Sequence, residues 1–303
     1  MYDVLVKGGR IIDGTGSLWR KADVAISGES ITKVGYIPET KAENVIEASG
    51  LVVSPGWIDV HVHADHTVLG NPACLSYAHQ GITTVTMGNC GLSMYPLTPE
   101  HKDDLIEYML PFTSGIELDW NWASMNEFLT QMGAVSLNMV PFIGQGSISI
   151  STMWFEDRPP SEDEFSQMKI KLVDAMESGA HGMSTGLGYP PGLYTSEKEL
   201  LDLMNIVKKY GGIYSTHMRS GESNLGDTIR LGEITGVPLQ ISHLGSSCGS
   251  QRQLDGKHEY TTLNKINEAR AKGIDVTADI YPYTAGSSLL SQIIPAWLHV
   301  GGV

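Results

Sequence analysis

Pro55-Gly56-Trp57-Ile58-Asp59-Val60-His61-Val62-His63 is the stretch on which the reading of this chain turns. The apolar run from Val52-Val53 through Val60 reads as a buried strand, with His61 and His63 two residues apart at its C-terminal end. In extended backbone, residues i and i+2 point to the same face. Two imidazoles on one face at a strand end can share a metal ion. Taken alone, a His-x-His pair reads more simply as two histidines in a polar loop. The remainder of the chain turns the reading toward metal.

Before this stretch the pattern is all β. Tyr2–Lys7, Arg10–Ile12, Ala22–Ser27, Ser30–Tyr36 and Asn44–Glu47 are short strand candidates, punctuated by Gly8-Gly9, Gly14-Thr15-Gly16 and Ser27-Gly28. Residues 1–55 are expected to form a small β unit with little core of its own. From residue 56 to 303, strands and helices alternate. Strands are expected over Ile58–His61, Thr83–Met87, Leu137–Ile143, Gly182–Thr185, Gly212–Thr216, Leu239–Ser242 and Asp275–Ile280. Thr98-Pro99 is read as the start of a helix running to about Met109. Ser161 with Glu164, and Ser196 with Glu199, are capping boxes. Two further helices are expected over 225–235 and 262–272. Seven strand–helix repeats, with no Gly-x-Gly-x-x-Gly after the first strand, favour a TIM-type (β/α)8 barrel over an open doubly wound sheet. An eighth strand is not found before Val303.

The chain has 303 residues, 41% of them hydrophobic, and a formal net charge of −14. That charge argues against nucleic acid and anionic membranes as partners. No run of about 18 apolar residues occurs, so no transmembrane helix is expected. Met1-Tyr2-Asp3-Val4-Leu5-Val6 enters a strand pattern at once, without a basic leader, so no secretory signal is expected. Three cysteines, Cys74, Cys90 and Cys248, suit a reducing compartment, and the cytoplasm is the expected location.

Barrel chemistry gathers at the C-terminal ends of the strands. Those ends carry His61 and His63, then Cys90 in Gly88-Asn89-Cys90-Gly91, His217 in Ser215-Thr216-His217-Met218-Arg219, and His243 in Ile241-Ser242-His243. Thiolate with imidazole favours zinc over magnesium or calcium. Five ligands exceed one tetrahedral ion. Either two ions share the site with Cys90 bridging, or one ion is tight and the other site weak.

The stretch 55–63 resembles the first metal motif of the amidohydrolase superfamily. Gly88-Asn89-Cys90-Gly91, Ser184-Thr185-Gly186-Leu187-Gly188-Tyr189-Pro190-Pro191-Gly192 and Asp279-Ile280-Tyr281-Pro282-Tyr283-Thr284-Ala285-Gly286-Ser287 are similar to segments of its D-aminoacylase branch, the N-acyl-D-amino-acid deacylases. The resemblance implies a zinc-dependent hydrolase that cleaves the linear amide of a small N-acyl-D-amino acid to a carboxylate and a free D-amino acid. It implies Cys90, His217 and His243 as ligands of a tightly bound Zn2+, with His61 and His63 marking a second, weaker or vacant site. It also implies a strand-eight aspartate as acid–base and a β-sandwich built from both chain ends. Tyr189, Arg219, Tyr283 and Ser287 are candidates for contacting substrate, Arg219 through a carboxylate.

Four departures accompany the resemblance. No Asp matches the strand-eight position, so no catalytic residue is assigned, and the chain by itself is expected to be weak or inactive. Asp65 is read as a supporting residue and Asp279 as structural. Gly144-Gln145-Gly146 lacks the His that many relatives place between the glycines. Gly245 stands where D-aminoacylases commonly carry a Lys, and Ala64 replaces an acidic residue. Two other functions compete. A hydantoinase- or dihydroorotase-like cyclic-amide hydrolase needs a Lys at the end of strand four, and none occurs between Lys171 and Lys198. The other is a truncated, non-catalytic metal-binding fragment.

Overall fold

The computed structural model describes residues 1–38, 42–219, 223–244, 261–288, 294 and 298. Gly245 and Cys248 lie outside the described residues. The chain divides into two compact units, Met1–Trp57 and Ile58–Val303.

The first unit is a mixed sheet of β1 (Tyr2–Ile11), β2 (Arg20–Ser27), β3 (Ser30–Gly35), β4 (Ala42–Glu47) and β5 (Val52–Val53), in the order β3-β2-β1-β4 with β5 also on β1. Two strands were expected on either side of Gly8-Gly9, and a single strand runs through both. The register against β2 shifts between Val6 and Gly9. A Cβ on Gly9 would lie 2.5 Å from Val53 Cγ2, so only glycine lets β5 approach. The buried Asp23 carboxylate accepts the N–H groups of Gly8 and Ile37 at 2.8 and 3.0 Å, pinning the irregularity. The apolar clusters are small: Leu5, Ala25 and Ile37 in one, Ile11, Ala22 and Val24 in the other.

The second unit is α/β. One three-stranded sheet runs β6 (Trp57–Asp59), β7 (Ile82–Met87), β8 (Asn138–Pro141). A five-stranded sheet runs β9 (Ile143–Gly144), β10 (Gly182–Gly186), β11 (Ile213–His217), β12 (Leu239–Ile241), β13 (Val276–Ala278). Its strands are parallel and follow one another in sequence order. The expected single strand 137–143 is divided because Pro141 has no N–H to continue the ladder; Phe142 N–H instead reaches back to Met87 O at 2.9 Å. The expectation of a buried strand across residues 52–60 is corrected. Trp57 and Ile58 are 61% and 64% exposed, because β6 is the outer strand of its sheet and pairs only with β7 among the described residues.

Among the described residues the helices are α1 (Leu75–Ala78), α2 (Lys102–Thr113), α3 (Met125–Met132), α4 (Gln145–Met153), α5 (Glu162–Glu177), α6 (Glu197–Lys209), α7 (Ser223–Thr235) and α8 (Thr261–Ala271). Ser161–Glu164 and Ser196–Glu199 form reciprocal capping boxes at α5 and α6. Leu200, Leu203, Met204 and Val207 give α6 an i, i+3, i+4, i+7 buried stripe. The expected N-cap at Thr98 is not formed. Its hydroxyl donates to Ser151 O at 3.0 Å, and α2 begins only at Lys102, with Asp103 and Asp104 in the first turn. The core joins strand residues Met87, Met183, Tyr214 and Ile241 to helix residues such as Leu105, Leu172 and Met204.

Candidate metal centre

The candidate ligands gather at or just past the C-terminal ends of four strands. His61 lies two residues past β6, Cys90 three past β7 and His243 two past β12, while His217 ends β11. Ligand atoms of His61, His63 and Cys90 all lie within 4.8 Å of one another, as do those of Cys90, His217 and His243. Cys90 is common to both groups. Its Sγ lies 3.2 Å from His61 Nε2 and 3.6 Å from His243 Nε2. The imidazole centroids of His217 and His243 are 4.4 Å apart, and those of His61 and His243 5.1 Å.

The loop that presents Cys90 is held in a conformation few side chains adopt. Cys90 has φ 58°, ψ 26°, and His243 has φ 36°. Left-handed backbone at a non-glycine residue costs of order 1–3 kcal/mol and persists where the surroundings enforce it. Here Tyr189 OH donates to Cys90 O at 2.6 Å, Ser184 Oγ accepts from Gly91 N–H at 2.9 Å and donates to Gly88 O, and Asp65 Oδ2 accepts from Gly88 N–H at 3.2 Å. Asn89 Nδ2 donates to Val62 O and Thr86 O, tying this loop to the His61–His63 segment. A Cβ on Gly88 would stand 2.2 Å from Phe142 O. The sequence Gly-Asn-Cys-Gly is therefore a backbone requirement as well as a ligand-bearing motif.

Asp279, one residue past β13, carries more of the site than its structural reading implied. Its carboxylate lies 3.2 Å from His61 Nδ1, accepts His243 N–H at 2.7 Å and accepts Gln240 Nε2 at 2.8 Å. Burial would raise its pKa, but the bond and charge of His61 together with the hydrogen bonds from His243 and Gln240 lower it below the usual carboxylate value. Burial disfavours the His61 cation, yet Asp279 and Cys90 push His61 up to about 10. Burial also opposes ionisation of Cys90, but the imidazoles of His217, His243, His61 and His63 hold the thiol well below its ordinary value. A buried thiolate faced by four imidazoles fits a thiophilic divalent cation. The carboxylate behind His61 is the usual means of fixing a ligand imidazole's tautomer and orientation.

The candidate substrate residues lie in different surroundings. Tyr189 is buried with its ring edge-on to His217, centroids 4.9 Å apart, and burial with Cys90 nearby raises its phenol well above the ordinary value. Arg219 lines a cavity of about 130 Å³ with Leu187, Glu197, Leu200 and Asp227, and its Nη2 donates to Thr195 O and Leu193 O. One of its two terminal nitrogens is thereby committed to backbone. Tyr283 is 75% exposed and Ser287 is also exposed. The end of β10 bears no lysine, the residue that a hydantoinase- or dihydroorotase-like site needs there.

A sequence model described as "Amidohydrolase family" matches residues 44–228. The chain is 33% identical to D-aminoacylase of Alcaligenes xylosoxydans xylosoxydans over 297 residues, covering 96% of this chain and 59% of that protein. A crystal structure of D-aminoacylase superposes with TM-score 0.81 at 33% identity, covering 94% of this chain and 60% of that one. N-acyl-D-glutamate deacylase from Bordetella bronchiseptica, solved with zinc and a phosphonate mimic of the tetrahedral intermediate, superposes with TM-score 0.80 at 30% identity, covering 93% and 59%. The chain thus spans about three-fifths of the length of these relatives.

Proposed function

The chain belongs to the amidohydrolase family, and from that premise we propose that it serves the zinc-dependent hydrolysis of N-acyl-D-amino acids at their linear amide bond. The observation that carries the reading is the pair of ligand groups sharing Cys90, in a chain 33% identical to a D-aminoacylase. In this reading Cys90, His217 and His243 hold the tight ion, and His61 and His63 join Cys90 at a second position. The strands from β6 to β13 are staves of a (β/α)8 barrel, and the first unit is part of a small β-sandwich. No helix among the described residues is long and apolar enough to cross a membrane; a cytoplasmic location rests on the sparse cysteines.

A bound zinc ion would supply Lewis acidity toward the amide carbonyl and activate water near neutral pH. The chain's own residues do the positioning. Asp279 holds His61 through Nδ1 and turns Nε2 toward Cys90. Tyr189 fixes the Cys90 carbonyl and walls the site beside His217. Gly188 keeps the approach to His217 open, since a Cβ there would lie 2.8 Å from its Nε2.

Matched N-acyl-D- and N-acyl-L-amino acids, assayed for amine release by the zinc-loaded protein before and after chelation, test this reading. Release from the D series that chelation abolishes and zinc restores is the expected result. Preference for the L series, or release that survives chelation, would overturn it.

A further inference from the structure

His63 belongs to a second cluster besides the one at Cys90. Ligand atoms of His63, Asp65 and His66 all lie within 4.8 Å of one another. A single 3-10 turn, Ala64–His66, folds the three side chains together. Asp65 and His66 are each 1% exposed. Buried polar atoms are almost always hydrogen-bonded, and those that are not call for a water, an ion or a catalytic role. In this cluster Asp65 Oδ1, both ring nitrogens of His66 and Nδ1 of His63 have no hydrogen-bond partner, four of the six such side-chain atoms among the described residues. The shortfall is concentrated in one place, and every atom in it is a metal-ligating type.

The charge is as unbalanced as the hydrogen bonding. Among the described residues, the ion-pair partner of Asp65 is His66 Nε2, at 3.8 Å; no lysine or arginine is paired with it. Phe112 of α2 closes one side, its ring centroid 4.9 Å from that of His66 and 6.0 Å from that of His63. A water molecule could bond these atoms, but beside the Gly88 N–H and the two imidazoles the Asp65 carboxylate would still face no permanent cation. A cation answers both deficits.

We propose that His63, Asp65 and His66 form a metal site separate from the Cys90 centre, a two-imidazole, one-carboxylate set that takes a divalent first-row cation of the zinc class. His63 is common to this set and to the His61–Cys90 group, so filling one bears on the other. The site does not depend on the acyl substrate assigned above.

The chelator-stripped chain is loaded with zinc or cobalt, and ion content per chain is measured after gel filtration for wild type, Asp65→Asn, His66→Gln and Cys90→Ser. Cobalt bound to Cys90 carries a thiolate charge-transfer band, whereas cobalt on imidazole and carboxylate does not. The band therefore reports the Cys90 centre alone. The expected result is that His66→Gln loses one ion per chain with the band unchanged, that Asp65→Asn, which also meets the Cys90 loop at Gly88 N–H, loses the same ion, and that Cys90→Ser loses the band and keeps the ion that His66 holds. Equal ion content in wild type and both variants, or loss of the band together with the ion in His66→Gln, would overturn the proposal. Absence of the band in wild type would count against the Cys90 centre, and the variants' ion content would still decide this one. Should the variants misfold by circular dichroism, 15N-histidine spectra of the unsubstituted chain under zinc titration replace them. Shifts of the His66 ring nitrogens at a step separate from His217 and His243 support the site, and unmoved His66 resonances overturn it.

Discussion

Asp279 and His61 are 218 positions apart in sequence, yet the carboxylate of one stands 3.2 Å from Nδ1 of the other, across the imidazole from Cys90. The same carboxylate accepts His243 N–H at 2.7 Å. One aspartate therefore orients the candidate ligand past β6 and fixes the left-handed backbone of another past β12.

Asp279→Asn is expected to weaken zinc binding by about 10–100-fold, the usual cost of removing a carboxylate that orients a ligand imidazole. Competition against a chromophoric chelator measures it. Unchanged affinity would return Asp279 to a purely structural role.

Cys90→Ser is expected to lower zinc affinity more than any single histidine substitution. It replaces a thiolate with a neutral hydroxyl, and Cys90 is the one residue common to both of its ligand groups. The check is the ion content of Cys90→Ser against His243→Ala and His61→Ala at matched free zinc.

Gly186→Ala probes the packing under the Cys90 loop. A Cβ at that place would lie 2.3 Å from Cys90 O and 2.4 Å from Tyr189 OH. Both neighbours are held, the first by the second. The expected cost is about 1–3 kcal/mol in urea unfolding, with reduced zinc retention.

Lys171 gives a pH dependence remote from the metal. Burial lowers its pKa to about 8, against the pull of Glu100, while its Nζ donates to Ser151 O and Thr152 Oγ1 at 2.7 Å. Between about pH 8 and the ordinary lysine value near 10.5, the unfolded chain binds more protons than the folded one. Stability must therefore rise with pH across that window, the burial penalty being fully present below it. Wild type is expected to gain on Lys171→Met between pH 7.5 and 10 in paired urea titrations.

Much of the candidate site was legible because its register repeats: a histidine or cysteine at or just past the end of four of the seven expected strands. Asp279 obeys the same register one residue past β13, and that signal was set aside because an aspartate before a turn has an ordinary structural use. His66 was passed over altogether; nothing in the sequence says that the turn after His63 buries it without a partner. In the fold, Ser161–Glu164 and Ser196–Glu199 marked α5 and α6 because capping is local chemistry. The segment Gln145-Gly146-Ser147-Ile148-Ser149-Ile150-Ser151 alternates like a strand but forms α4. Its serines are satisfied without water: Ser147 Oγ donates to Ser93 O outside the helix, while within it Ser149 Oγ accepts from Gln145 Nε2 and Ser151 Oγ donates to Ile148 O, so the helix can be buried. The buried-strand reading of residues 52–60 failed for the opposite reason, since apolar content says nothing about whether a strand lies at a sheet edge.

Zinc-edge X-ray absorption of the metal-loaded chain is the most direct measurement. A shell containing one sulphur at about 2.3 Å with imidazole nitrogens at about 2.0–2.1 Å is expected, and the sulphur component should vanish in Cys90→Ser. A shell of nitrogen and oxygen alone in the wild type would contradict a metal centre built on Cys90.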